Sequence, residues 1–378
     1  MKQVNRILST YTADVMGVSS ALYELGGLIV MHDPSGCNST YATHDEPRWF
    51  AKPSAVYISA LEQFDALLGR DEKLINDIAE TAVQLKPEFI AIAGTIIPSM
   101  LGTDFKAVAK LVEQRTGIPA FGFATNSMHS YVSGANTALA EYAKRFCPDE
   151  TAEEKESGSV NLLGVTPLDF SVTGNAEALK TFFENKGLKV NSVWAMNSAP
   201  EELKRAGKAE INVVVSSCGF GAAEALKEKY GAPYVVGCPA GRGFSEEILY
   251  AIKDKSNVKQ PKIKPSKNYV IGEAVTACSI RAALKCDFGI DANVICPTEY
   301  SFGQLLENDA EARYEDEIET ALRGAELVIA DPMYLPVISP ETKFIPFPHE
   351  ACSGRMYRKD IPMFIGGAFN KWIEKALS

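Results

Sequence analysis

The sequence predicts an α/β protein of three Rossmann-like parallel-sheet units around a central cleft. Two observations carry that expectation. Short β-branched runs alternate with amphipathic stretches of helical period, the rhythm of parallel strands wrapped by helices. Two polar connections without apolar periodicity, at 147–158 (acidic) and 255–268 (rich in Lys and Pro), interrupt the rhythm twice. The expected units are therefore 1–150, 158–255 and 268–378.

In the first unit, 27–31 (GLIVM) reads as a buried strand that runs into the loop Asp33-Pro34-Ser35-Gly36-Cys37. A helix follows over 71–85, with Leu74, Ile75, Ile78, Ala82 and Leu85 on one face. Pro87 ends it, and 89–93 is the next strand. Asp104 suits the N-cap of a helix over 105–115 and Gly117 its stop, before a strand at 118–123. The second unit opens with a strand at 160–165. A helix at 176–186 lies between Asn175 and Gly187, followed by a strand at 190–194 and a short helix from Ser198 with Pro200 in its first turn. Ile211-Asn212-Val213-Val214-Val215 is the strongest strand in the chain and leads into Ser216-Ser217-Cys218-Gly219, then a helix at 222–230. The third unit alternates strand 269–272, helix 273–286, strand 292–296, an acidic helix near 309–322, and strands 326–330 and 343–347. An amphipathic tail at 363–377 follows them.

The chain has 378 residues, 46% of them hydrophobic, enough for several buried cores. Its 48 acidic and 38 basic residues give a net charge of −10, which argues against a nucleic-acid role. The N-terminus shows no secretory leader and no apolar run reaches membrane-spanning length, so the expectation is a soluble, cytoplasmic protein. In that compartment the eight cysteines are poor disulfide candidates. No C-x-x-C pair occurs among them, so zinc knuckles and locally bound ferredoxin-type clusters are excluded on spacing. Any cluster must draw ligands from distant loops or from a second chain. Hydrolase motifs such as G-x-S-x-G and H-E-x-x-H are absent.

In open parallel sheets ligands bind beyond the carboxyl ends of the strands. Cys37, Thr95, Cys218, Cys296, Asp331 and His349 all fall at such ends. They either share one cleft or are the ordinary polar content of strand-to-helix loops. Cys37 stands among turn-formers and polar groups, so its thiolate would be accessible. His44 and Glu46 lie close by and read as metal ligands or proton donors, or as a hydrogen-bonded loop network. Cys218 is either a ligand approached past Gly219 and Gly221 or an inert strand-end thiol. Cys278 and Cys286, two turns apart on one helix, read as core, and Cys147 as incidental to a linker.

Three stretches together resemble the nitrogenase component 1 group. They are His32-Asp33-Pro34-Ser35-Gly36-Cys37-Asn38-Ser39-Thr40-Tyr41; the run from Gly69-Arg70-Asp71 to Gly117-Ile118-Pro119; and the run from Asn161-Leu162-Leu163-Gly164 to Lys229-Tyr230-Gly231-Ala232-Pro233. The resemblance implies that Cys37 is one ligand of an iron–sulfur cluster of 4Fe-4S type shared between chains. It aligns Cys218 and His349 loosely with residues holding a second metallocofactor, or a tetrapyrrole, in the cleft. The family's companion cysteines are missing: the corresponding loops read Ala93-Gly94-Thr95-Ile96-Ile97-Pro98 and Tyr11-Thr12-Ala13-Asp14. The implied protein is the catalytic component of a nitrogenase-like, ATP-dependent reductase acting on a substrate other than dinitrogen, since the chain is short for a nitrogenase subunit. Its implied partners are an identical or paralogous subunit, in a dimer or tetramer, and an ATP-hydrolysing iron protein. His44 and Glu46 would be its proton donors. The alternative is a non-catalytic scaffold or carrier for a metal cluster or tetrapyrrole.

Overall fold

The computed structural model describes residues 5–34, 36, 38, 45–149, 155–299 and 302–378. Each of three parallel sheets is built from one of the three stretches that the two polar connections separate.

The first unit comprises α1 (Asp14–Leu22), β1 (Leu28–His32), β2 (Val56–Ile58), α2 (Gln63–Leu68), α3 (Asp71–Leu85), β3 (Ile90–Gly94), α4 (Ile96–Leu101), α5 (Phe105–Thr116), β4 (Ala120–Phe123) and α6 (Tyr131–Phe146). Its strand order is β2-β1-β3-β4. The central strands β1 and β3 are buried at every residue, as parallel strands covered on both faces must be. Helices α1 and α6 cross so closely that a Cβ on Gly17 would lie 2.0 Å from the Tyr131 carbonyl oxygen, and one on Gly134 1.8 Å from that of Asp14. Those two glycines set α6 at the right height for Tyr131 to reach the second unit.

The second unit comprises β5 (Glu156–Val165), α7 (Pro167–Phe170), α8 (Asn175–Asn185), β6 (Lys189–Ala195), α9 (Pro200–Lys204), β7 (Ala209–Val214), α10 (Phe220–Tyr230), β8 (Tyr234–Val236) and α11 (Arg242–Asp254), with strand order β6-β5-β7-β8. The third comprises β9 (Asn268–Ile271), α12 (Ala274–Phe288), β10 (Asn293–Cys296), β11 (Ala310–Glu311), α13 (Glu315–Ala321), β12 (Leu327–Ala330), β13 (Lys343–Pro346), α14 (Glu350–Ser353) and α15 (Gly367–Leu377), ordered β11-β10-β9-β12-β13. One apolar cluster joins the second and third units, from Phe170 and Phe244 to Ile280 and Phe369. Another joins the first to the second, from Phe89 and Tyr142 to Trp194 and Phe220.

Three sequence expectations need correction. The acidic helix near 309–322 begins only at Glu315. Ahead of it Asp309 pairs with the buried Arg281, accepts the amides of Val294 and Leu306, and leads into a strand beside β10. Cys147 is buried, its thiol donating to the Leu203 carbonyl at 3.2 Å, so it belongs to the core. Cys286, at the end of α12, is exposed, whereas Cys278 is core.

Candidate functional site

The first candidate region lies at the carboxyl edge of the first sheet. Asp33 follows β1 and is buried. Its carboxylate accepts from Thr95 Oγ1 at 2.5 Å and from Asn38 Nδ2 at 3.0 Å. Thr95 stands at the end of β3, so Asp33 ties the two ends of the 33–38 loop to the neighbouring strand. Burial raises the Asp33 carboxyl, against the two hydrogen bonds that lower it. His32 Nδ1 lies 2.8 Å from Ser59 Oγ, and burial pushes the imidazole down to about 4, so the ring is neutral near pH 7. Cys37 and His44 lie outside the described residues.

Glu46 is placed in a buried ion pair. Its carboxylate accepts from Arg48 Nε at 2.6 Å and Nη2 at 3.2 Å. Arg48 also donates to Glu24 (3.0 Å), to the carbonyl of Ser20 (2.8 Å) and to that of Ala195 in the second unit (3.0 Å). Its guanidinium lies 4.5 Å from the centroid of the Tyr23 ring. Ala195 takes φ +97°, and its carbonyl meets Arg48 across the unit boundary. The group expected as a proton donor thus stands in a structural knot that fixes the chain just after residue 44.

The second region is the junction of all three units, where Cys218 and His349 do come together. They meet on Asp169. Its Oδ1 accepts from Tyr131 Oη at 2.6 Å and lies 3.7 Å from His349 Nε2; its Oδ2 accepts from Thr166 Oγ1 at 2.6 Å and Ser216 Oγ at 2.9 Å. Cys218 is near enough for the Asp169 carboxylate to act on its thiol. Burial alone would raise the Asp169 carboxyl, but His349 and the Thr166 and Tyr131 hydroxyls outweigh it and hold the pKa low. Burial alone would lower His349, yet Asp169, then Asp331 and Glu273, raise it. The Ala351 amide donates to His349 Nδ1 at 3.2 Å, which puts the proton of the neutral ring on Nε2, facing Asp169. Burial and the nearby carboxylates push the Cys218 thiol well up, so it is protonated.

A second carboxylate, Glu273, lies fully buried beside this group. It accepts from the amides of Ser217 (2.9 Å), Val275 (3.0 Å) and Thr276 (2.6 Å) and from Ser217 Oγ (2.5 Å). Asp331 accepts from the amides of Met333 and His349. The junction is assembled from helix caps: Thr166, Ser216, Glu273, Asp331 and His349 each stand at the N-cap of the turn or helix that follows their strand.

Space at this junction is scarce. The cavity lined by Tyr11, Glu273, Asp331 and His349 measures about 10 Å³, about one water molecule's worth. Asp169 and its donors fill the ground between Cys218 and His349, so in this arrangement the pair does not fit a metallocofactor of many atoms. A roomier cleft of about 560 Å³ lies over α14, between Thr12 and Met16 of the first unit and Cys352 and Arg355 of the third. Among the described residues, no three His, Cys, Asp or Glu side chains are grouped so as to hold a metal ion. Nor is any helix among them long and apolar enough to cross a membrane.

Asp169 and Tyr131 are the functional candidates that sequence reasoning missed. Asp169 had a signal: Thr166-Pro167-Leu168-Asp169 is a capping sequence at the carboxyl end of a strong strand. Tyr131 had none, because it depends on the close crossing of α1 and α6.

Three parallel α/β units, joined where the carboxyl ends of their strands converge, define a class of multi-unit proteins built around a central junction. A sequence model of the nitrogenase component 1 type oxidoreductases matches residues 14–275, and the chain belongs to that family. Among curated relatives it is 26% identical to the nitrogenase iron-molybdenum cofactor biosynthesis protein NifE of Clostridium pasteurianum over 254 residues, 65% of this chain and 53% of that protein. It is 24% identical to the nitrogenase molybdenum-iron protein alpha chain of the same organism (54% of this chain, 40% of that one). A chain of the light-independent protochlorophyllide reductase of Prosthecochloris aestuarii matches at 25% identity (60% of this chain, 43% of that one). The chain spans about half the length of the curated relatives it matches. In fold it is similar to a chain of nitrogenase Cp1 solved at pH 6.5, with a TM-score of 0.72 and 16% identity over 100% of this chain and 94% of that one.

Proposed function

We propose that this chain is the catalytic-component subunit of a nitrogenase-like reductase, whose electrons come from an ATP-hydrolysing iron protein. In this reading Cys37 supplies one thiolate to an iron–sulfur cluster completed by a second chain, identical or paralogous. The cluster would supply one-electron storage at the edge of the first sheet.

The observation that carries the reading is the surface around the 33–38 loop. Asp33 and Asn38 pin the loop's ends, while the helices that follow the two flanking strands expose apolar side chains. Phe64 and Leu67 of α2 are 73% and 72% exposed, and Met100 of α4 is 80% exposed, alongside Ile96, Ile97 and Leu101. Large apolar groups on both sides of a cysteine-bearing loop suit burial against another subunit. Such burial would also shield a cluster from water.

A second reading, a scaffold or carrier for a metal cluster or tetrapyrrole, is favoured by the packing at Asp169. That packing leaves Cys218 and His349 engaged with the protein itself, as in a subunit that does no chemistry there.

Anaerobically purified protein, with any co-purifying subunit, should contain iron and acid-labile sulfide. It should give a reducible EPR signal that is lost in Cys37→Ala and is generated by reduced iron protein with MgATP. Cluster-free protein, or a cluster that the iron protein cannot reduce, would overturn the reductase reading.

A further inference from the structure

Strand β4 is an edge of the first sheet and, among the described residues, pairs with β3 alone. Its register with β3 decides which backbone groups remain for another strand. The Ile90 amide donates to the Pro119 carbonyl, and Ile90 and Ile92 pair with Ala120 and Gly122. In parallel pairing, consecutive residues alternate between the two sides of a strand. The amides of Phe121 and Phe123 therefore turn to β3, and those of Ala120, Gly122 and Ala124 turn outward.

The Ala120 amide is capped by Glu113 Oε2 at 3.0 Å, and Glu113 also binds Arg145 of α6 at 2.5 Å. That ion pair straps one end of the edge. Beyond it, no described residue caps the outward amides of Gly122 or Ala124. They open into a groove of about 860 Å³ between α5 and α6. Its lining carries Lys106, Lys110, Lys144 and Arg145 against Asp14, Glu113 and Glu141, with Arg145 and Lys144 already paired to Glu113 and Glu141. Lys106 and Lys110, one turn apart on α5, line the groove without a carboxylate partner among the described residues.

We propose that the Gly122–Ala124 edge is a docking site for an acidic, extended segment of a partner protein, added to the sheet as a fifth strand. Backbone hydrogen bonds to Gly122 and Ala124 hold the segment, and its carboxylates meet Lys106 and Lys110. The Glu113–Arg145 strap limits the added strand to the carboxyl half of β4, and natural edges are commonly blunted by such charges. The groove lies at the opposite edge of the sheet from β2 and plays no part in the reading given above.

The test uses the full chain and a fluorescein-labelled octapeptide of alternating valine and glutamate, followed by anisotropy, with a valine–lysine octapeptide as control. The acidic peptide should bind in a salt-sensitive way and slow hydrogen exchange in the segment 120–126. Lys106→Glu/Lys110→Glu should weaken it about tenfold or more, the scale expected from reversing two exposed charges. Ala124→Pro, which removes one outward amide and leaves the β3 pairing intact, should weaken it comparably while the melting temperature holds. No binding, equal binding of the lysine peptide, indifference to the charge reversal, or protection confined to another segment would each overturn the proposal. Loss of folding in Ala124→Pro leaves the decision to the charge reversal and the exchange pattern.

Discussion

Replacing Asp169 with alanine tests whether the junction holds the three units together. The carboxylate has three hydroxyl donors, a thiol and an imidazole around it, but they do not all lose equally. Ser216 Oγ also lies 2.6 Å from the Gly164 carbonyl and can turn its proton there. Tyr131 Oη and Thr166 Oγ1 have no other acceptor among the described residues, and each buried hydroxyl left without one costs roughly 1–3 kcal/mol. Loss of the His349 partner adds to this, since removing one member of a buried pair costs roughly 3–5 kcal/mol in all. The desolvation of the carboxylate itself is recovered, which offsets part, so about 4 kcal/mol is the expected loss. Asp169→Asn is the control. Its oxygen can face Tyr131 and His349 while its amide donates to the Thr166 and Ser216 hydroxyls, which then act as acceptors; the expected loss is about 1–2 kcal/mol. Urea unfolding followed by tryptophan emission reports on the second unit through the fully buried Trp194. Hydrogen exchange at 166–171 and 349–353 should accelerate in the alanine variant before global unfolding. Equal losses for alanine and asparagine, or a loss below about 1 kcal/mol for alanine, would refute the reasoning.

Two further outcomes follow from groups near the first sheet. His32 has its pKa depressed to about 4 by burial, whereas the unfolded ring titrates near 6.5, so between those values the unfolded chain binds more protons. Stability is therefore full above about pH 6.5 and falls as pH drops toward 4, by about 3 kcal/mol from this group; a pH series of urea midpoints on wild type and His32→Gln should differ by that slope, and parallel curves would sink the assignment. Arg48→Met strands the buried carboxylate of Glu46 and takes from Glu24 its inner partner, for about 3–5 kcal/mol, with part recovered in Arg48→Met/Glu46→Gln; denaturant midpoints that shift by less than about 1 kcal/mol would show that the knot does not anchor residues 45–52.

Most of the parallel-sheet architecture was legible because it is written in local pattern. The 211–215 strand, the helix caps at Asp104 and Gly117, and the stripe on α3 are each decided within a few residues. What escaped was set by distance. Helix α6 does bury an apolar face (Val132, Leu139, Tyr142 and Ala143), but its place beside α1 depends on the small residues Gly134, Ala135 and Ala138, and no local pattern reveals what they pack against. The exposed apolar helix α2 looks like a loop in sequence because its hydrophobic residues face outward. Acidic 309–311 looked helical because nothing local discloses that Asp309 is claimed by Arg281, 28 residues earlier.

The strand-end rule picks out loops that converge at the junction and says nothing of their chemistry, for a physical reason. A parallel strand that turns into a helix leaves unpaired amides at its carboxyl end, and a capping side chain must satisfy them. When several strand ends converge, their caps are forced into contact. Carboxylates and hydroxyls chosen for local capping then become each other's partners. Glu273 caps α12 and receives Ser217; Ser216 caps the following turn and reaches Asp169. The turn-forming neighbours of Cys37 point to the carboxyl edge of the first sheet, whereas the sequence signature of the junction is the recurrence of cap residues after strong strands. A cap engaged with its own helix is a poor ligand until that engagement is broken. Any ligand that recruits Cys218 and His349 must first displace Asp169, so the cost of breaking the Asp169 contacts bounds how tightly it can bind.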